Sequence, residues 1–121
     1  MSLVWGGGGG RYLTEAPYLV VLMKESYKIG EEGERIEHYY PEQSVGIAAG
    51  MFLCAVTAAG LVTLPSTPMG AESFIRKLLG RRENEKVYLL LPVGYPKADA
   101  TVPFRDPSAS HKPLADVMTV Y

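Results

Sequence analysis

The chain has 121 residues, 47% of them hydrophobic and 21% charged, a balance that excludes a disordered polar chain and fits one domain. Twelve basic against thirteen acidic side chains give a net charge of −1, so the sequence carries no basic footprint for nucleic acid. The single cysteine, Cys54, excludes a disulfide framework and any cysteine-built zinc site, and no metal site is expected.

Met1-Ser2-Leu3 has no basic residue, and the apolar stretch ending at Trp5 is shorter than the roughly 7–15 residues of an export signal. Gly6 to Gly10 is too flexible to join a core, and residues 1–10 read as a tail or linker. A phosphate-cradling loop would need a preceding strand and a following lysine–hydroxyl pair, which the run lacks. A cytoplasmic protein is expected. Pro17 precedes an unbroken apolar run, Tyr18 to Met23, which predicts a strand buried on both faces. Lys24 to Glu37, with Gly30, Gly33 and several glutamates, reads as a solvated loop. Its acidic cluster lacks the ligand spacing of a calcium loop.

From Ser44 to Ala71 no residue is charged. Val45 to Ala59 predicts a helix with Ser44 as a possible N-cap and Gly60 just past its end. Length and lack of charge also raise a membrane span. Gly60 ends the helix too early, alanine and glycine gain little from insertion, and no Lys/Arg cluster flanks it, so no membrane association is expected. An all-round apolar helix of small residues belongs instead at the centre of a fold or dimer. Gly46 and Gly50 suit close approach by another element, and leucine at either is expected to weaken folding or assembly.

Leu61 to Leu64 reads as a short strand running into Pro65-Ser66-Thr67-Pro68, a stiff turn offering backbone N–H groups and two hydroxyls. Ligands of open sheets bind near such strand ends, although a purely structural turn is the plainer reading. Ala71 to Leu79 predicts a helix with Phe74, Ile75, Leu78 and Leu79 on one face and Gly80 past its end. Lys86 to Leu91 predicts a strand limited by Pro92. Prolines punctuate the following segment, and Leu114 to Tyr121 is apolar and β-prone. Alternating strands and helices predict a domain that mixes the two. Catalytic constellations are scarce. His38, beside Tyr39 and Tyr40, reads as a structural hydrogen-bonder. Cys54 reads as an inert small hydrophobe.

One resemblance adds to this. The segments His38 to Gly50, Ala59 to Thr63, Ser66-Thr67-Pro68, Leu78 to Arg81, Asn84-Glu85-Lys86, Leu90 to Pro96 and Asp99 to Pro103 look like the iodotyrosine deiodinase branch of the FMN-dependent nitroreductase superfamily. The likeness runs from about Arg11 to Tyr121. It implies an α+β fold, a mixed sheet flanked by helices around a central buried glycine/alanine-rich helix. It also implies a flavin-dependent oxidoreductase, a homodimer with FMN at the subunit interface. The family's chemistry is reductive dehalogenation of halotyrosines, or nitro and quinone reduction. The substrate would be a small aromatic molecule, and a reduced pyridine nucleotide or other donor would supply electrons. Pro65, Ser66 and Thr67 would line the flavin ring. Thr67 would be the catalytic contact, donating to flavin N5 and so tuning one-electron chemistry.

The departures are equally specific. The resemblance covers only the family's carboxyl-terminal half. The other half supplies the family's flavin-phosphate segment and its substrate lid. A family arginine that contacts the phosphate is replaced by His111, before Lys112-Pro113-Leu114. Arg82 stands where relatives usually have proline. The competing expectation is a catalytically silent fragment that serves only as a dimerising module.

Overall fold

The computed structural model describes residues 11–100 and 112–120. The chain runs α1 (Arg11–Glu15), β1 (Tyr18–Glu25), β2 (Tyr27–Ile29), β3 (Arg35–Glu37), α2 (Pro41–Ala58), β4 (Val62–Thr63), α3 (Glu72–Leu78), β5 (Glu85–Gly94) and α4 (Leu114–Val117). Strands β1, β5 and β4 form one antiparallel sheet in that order, with β5 in the middle. Strands β2 and β3 form a separate hairpin. The architecture is the expected α+β mixture.

The middle position explains β5. Its unbroken run Val87 to Val93 needs cover on both faces, and Leu91 is fully buried, with Val87, Leu90 and Val93 close behind. Together with Ala49 and Val56 of α2 these residues form the core. Pro92 does not stop the strand. It lies buried within it, opposite Leu19, so β5 runs on to Gly94. The two-faced burial expected of Tyr18 to Met23 is not found. Strand β1 lies at the sheet edge with one neighbour, Tyr18 and Leu19 are exposed, and the rest is half-buried. The stretch expected as a loop after Lys24 holds the β2–β3 hairpin instead, closed where Gly30 N–H donates to Glu34 O (2.8 Å).

Helix α2 starts earlier than the Ser44 cap predicts. Pro41 occupies its first turn, where the missing N–H costs nothing, and Tyr40 is the N-cap residue. At the other end Gly60 adopts φ +72°, Gly60 N–H bonds Thr57 O and Leu61 N–H bonds Val56 O, both 3.0 Å. Helix α3 closes identically: Gly80 has φ +61°, with Gly80 N–H on Lys77 O and Arg81 N–H on Arg76 O. Both are glycine-capped ends that only a residue free to take positive φ makes cheaply.

Burial of these helices is partial within this chain. On α2 only Ala49 and Val56 are buried, whereas Ile47, Met51 and Cys54 are exposed. On α3 the predicted apolar face is outward, with Phe74, Leu78 and Leu79 exposed. Where the tail is described, residues 112–120, it forms a short exposed helix, α4, followed by extended backbone at Met118, and no strand in the sheet; Tyr121 lies outside the described residues. Among the described residues no helix is long and apolar enough to cross a membrane.

Candidate functional site: the turn after β4 and the ion network at the start of β5

Strand β4 pairs with the end of β5, Val62 opposite Gly94 and Thr63 opposite Val93. The chain leaves the sheet after Thr63 and returns for one residue, Ser66. Ser66 N–H donates to Leu90 O (3.0 Å), and Leu90 N–H donates to Ser66 O (2.8 Å). The Ser66 hydroxyl donates to the same Leu90 carbonyl (3.0 Å). Ser66 therefore spends its backbone and its side chain on fixing the turn to the central strand. Met69 N–H then closes on Thr67 O (2.8 Å) and Ala71 N–H on Pro68 O (2.9 Å), which leads into α3. The result is an anchored Ser66 between exposed Pro65 and exposed Thr67. The Thr67 hydroxyl is offered to solvent at a position set by the rigid turn.

His111 lies outside the described residues, as do residues 1–10. The structure thus brings together Pro65, Ser66 and Thr67 of the expected site residues.

Sequence reasoning missed a second constellation, at the junction of α3 and β5. The α3 cap positions Arg81, and its guanidinium grips Glu85 with two bonds, Nε to Oε2 (2.8 Å) and Nη2 to Oε1 (2.6 Å). Arg82 N–H donates to Glu85 Oε2 (3.0 Å), a bond that a proline at this position could not make. The Arg82 guanidinium lies 3.5 Å from Glu85 and 3.6 Å from Glu25. Glu25 also meets His38 Nε2 at 3.0 Å. The hydrogen bond from Arg81 leads in holding the Glu85 carboxyl below its ordinary range, against the desolvation that would raise it, and the Arg82 N–H adds to it. The same bond pushes Arg81 upward. Buried Asn84 extends the junction, accepting from Ser26 N–H and donating to Tyr27 O, both 2.7 Å. The i, i+4 spacing of Arg81 and Glu85 was the available sequence signal.

A cleft of about 590 Å³ opens beside this junction, lined by Lys24, Glu25, His38, Tyr39, Tyr40 and Pro41 among others. Its charges are already partnered: Lys24 pairs with Glu42, and Glu25 with His38 and Arg82. Among the described residues no group of His, Cys, Asp or Glu is placed to hold a metal ion.

An FMN molecule can be weighed against these residues. The exposed Pro65–Thr67 turn fits the edge of a flat polar ring, with a rigid backbone and one uncommitted hydroxyl. At the α3–β5 junction the phosphate finds no such cradle, because Arg81 and Arg82 are engaged by Glu85 and Glu25.

A three-stranded antiparallel sheet flanked by helices makes this an α+β domain. The chain belongs to the Nitroreductase family, whose sequence model matches residues 5–95. It is 49% identical over 111 residues to the iodotyrosine deiodinase of Drosophila melanogaster, covering 91% of this chain and 37% of that protein. The human iodotyrosine deiodinase 1 is 44% identical over 107 residues, 88% of this chain and 36% of the relative. A bacterial iodotyrosine deiodinase, from Haliscomenobacter hydrossis, is 44% identical over 110 residues, 91% of this chain and 47% of the relative. A crystal structure of oxidized iodotyrosine deiodinase bound to FMN and 3-iodo-L-tyrosine superposes with a TM-score of 0.62 at 29% identity, covering 78% of this chain and 45% of that one. A nitroreductase family protein from Clostridium difficile shares the fold, with a TM-score of 0.61 at 16% identity over 87% of this chain and 59% of that one. The chain spans about a third to a half of the length of the curated relatives it matches.

Proposed function

We propose that this chain forms the ring-binding part of an FMN site in an oxidoreductase that reduces small aromatic substrates, halotyrosines first among them. The observation that carries this reading is the Pro65–Thr67 turn, pinned to Leu90 through Ser66 and presenting an exposed Thr67 hydroxyl. It occurs in a chain 44–50% identical to several iodotyrosine deiodinases. Pro65 packs at the ring edge, Ser66 holds the turn in register, and Thr67 donates a hydrogen bond to the ring. Flavin, when bound, supplies the electron transfer; this chain supplies orientation and that one donor. Nitroaromatics and quinones fall within the same substrate class, with a reduced pyridine nucleotide as donor. Two copies assembled through the exposed faces of α2 and α3 would form the enzyme.

The test is a titration of FMN followed through its visible absorption. Wild-type protein is expected to shift the flavin bands. Thr67→Ala is expected to move the flavin's midpoint potential while changing affinity by less than about tenfold, the scale of one neutral hydrogen bond. An unperturbed flavin spectrum at saturating protein would instead support a silent dimerising module. That second reading draws on one observation: Arg81 and Arg82, at the α3–β5 junction, are already neutralised by Glu85 and Glu25.

A further inference from the structure

A groove of about 420 Å³ lies between α3 and the β1–β5 strand pair, and none of the Pro65–Thr67 turn residues lines it. Three cations converge on it. Lys24 of β1 stands directly opposite Lys86 of β5 in the antiparallel register, and Arg76 reaches in from α3. Like charges facing one another across a strand pair repel, because their Cβ atoms are only about 4.5–5.5 Å apart. Glu42 neutralises Lys24 from α2. No ion pair joins Arg76 or Lys86 to another described residue, although Glu72 lies one turn back on the same helix and lines the same groove. Two hydroxyls complete the lining, Ser73 from α3 and Tyr88 from β5. Arg76 is half-buried, so its charge is not simply dissolved in bulk water.

Two unpaired cations, a third opposed to one of them, and two hydroxyl donors in one concavity form a donor-rich site with a single acid in its wall. We propose that this groove binds a compact oxyanion, the phosphate group of a small molecule or free inorganic phosphate. Arg76 offers its planar fork to two oxygens, Lys86 supplies a point charge, and Ser73 and Tyr88 donate from opposite walls. The bound anion neutralises Lys86, the member of the facing lysine pair that no carboxylate balances. Glu72 weakens the site and sets a preference for strongly charged ligands.

The experiment uses the full chain without flavin, so its outcome is independent of the FMN reading. Inorganic phosphate is titrated at fixed ionic strength while backbone amide resonances are followed by NMR. Saturable shifts confined to Ser73, Arg76, Lys86 and Tyr88 are expected. Arg76→Gln should weaken binding by roughly tenfold or more, the scale of one charge-assisted hydrogen bond. Glu72→Gln should tighten it, which no loss of folding can mimic. A parallel titration with adenosine monophosphate separates the two sources: tighter binding than phosphate assigns the groove to phosphate-bearing metabolites, and equal binding assigns it to the free ion. Shifts that spread over the surface, that chloride reproduces, or that Arg76→Gln and Glu72→Gln leave unchanged would overturn the proposal.

Discussion

Glu85 stands at the first position of the central strand, almost wholly removed from solvent yet ionised. A buried carboxylate survives only if its oxygens are satisfied, and here a forked guanidinium and a backbone N–H do so. The pH consequence has a definite sign. The folded carboxyl titrates below its ordinary value of 4.5, so the pair's contribution is whole above that value. It is lost as the pH falls through the lowered folded value. Glu85→Gln is therefore expected to lower the melting temperature at neutral pH, with the gap to wild type closing as the pH drops below about 4.5. Melting curves that stay parallel down to acid would show that Arg81 and Glu85 are not coupled to folding. At the same scale Thr67 and Ser66 divide their labour. Ser66 is consumed by Leu90, and only Thr67 retains a hydroxyl for a ligand.

At the scale of elements, α2 separates two glycines that look equivalent in sequence. A Cβ built at Gly46 comes within 3.4 Å of the Tyr88 hydroxyl, whereas one at Gly50 meets nothing within 4 Å. Gly46→Leu must push its branched end into Tyr88, and overpacking of this kind costs about 1–3 kcal/mol. Gly50→Leu adds a good helix former in open space and should stabilise the isolated chain by about 0.5–1 kcal/mol. Thermal melts at concentrations low enough to keep the chain monomeric are expected to move in opposite directions for the two variants. If both fall once the concentration is raised, the outer face of α2 is covered by something else, such as a second copy. The sequence made the ends of these helices readable, because Gly60 and Gly80 fall where a helix terminates in positive φ. It made the sheet order much less so. The Tyr18–Met23 and Val87–Val93 runs are alike in composition, and only pairing decides that the first lies at an edge and the second in the middle. Pro92 misled in the same way: a lone proline reads as a stop, yet β5 carries it buried opposite Leu19. The Pro65–Thr67 turn was legible from its prolines and hydroxyls. The Glu25–Arg82–Glu85 network was not, because it joins Glu25 at the end of β1 to Arg82 and Glu85, far further along the chain.

At the scale of the whole molecule, exposed apolar side chains and missing phosphate anchors bear on one question. Ile47 and Met51 on α2 and Phe74 and Leu78 on α3 are each about two-thirds exposed or more. Apolar patches beyond a few hundred Å² are unusual on monomers, so light scattering is expected to report a dimer or larger assembly; a monomer at all concentrations would refute this.

The flavin prediction rests on a count of anchors. Pro65, Ser66 and Thr67, to which the resemblance assigns the ring contacts, are all present in the sequence. The basic groups nearest in sequence to the α3–β5 junction, Arg81 and Arg82, are held by carboxylates that would have to release them. Each charge-assisted bond to a phosphate that is not made costs about 1.5–3 kcal/mol, or roughly ten- to a hundredfold in affinity. With two or three such bonds missing, the chain should purify nearly colourless and bind added FMN weakly. The resemblance puts His111 at the position expected to hold a phosphate-binding arginine. FMN titrations are accordingly expected to give weak binding that tightens several-fold in His111→Arg, on the scale of part of one charge-assisted contact. Stoichiometric yellow protein straight from purification would refute the count and direct attention to Lys112, which lies exposed beside His111. Weak binding that ignores His111→Arg would place the phosphate elsewhere on the assembled protein.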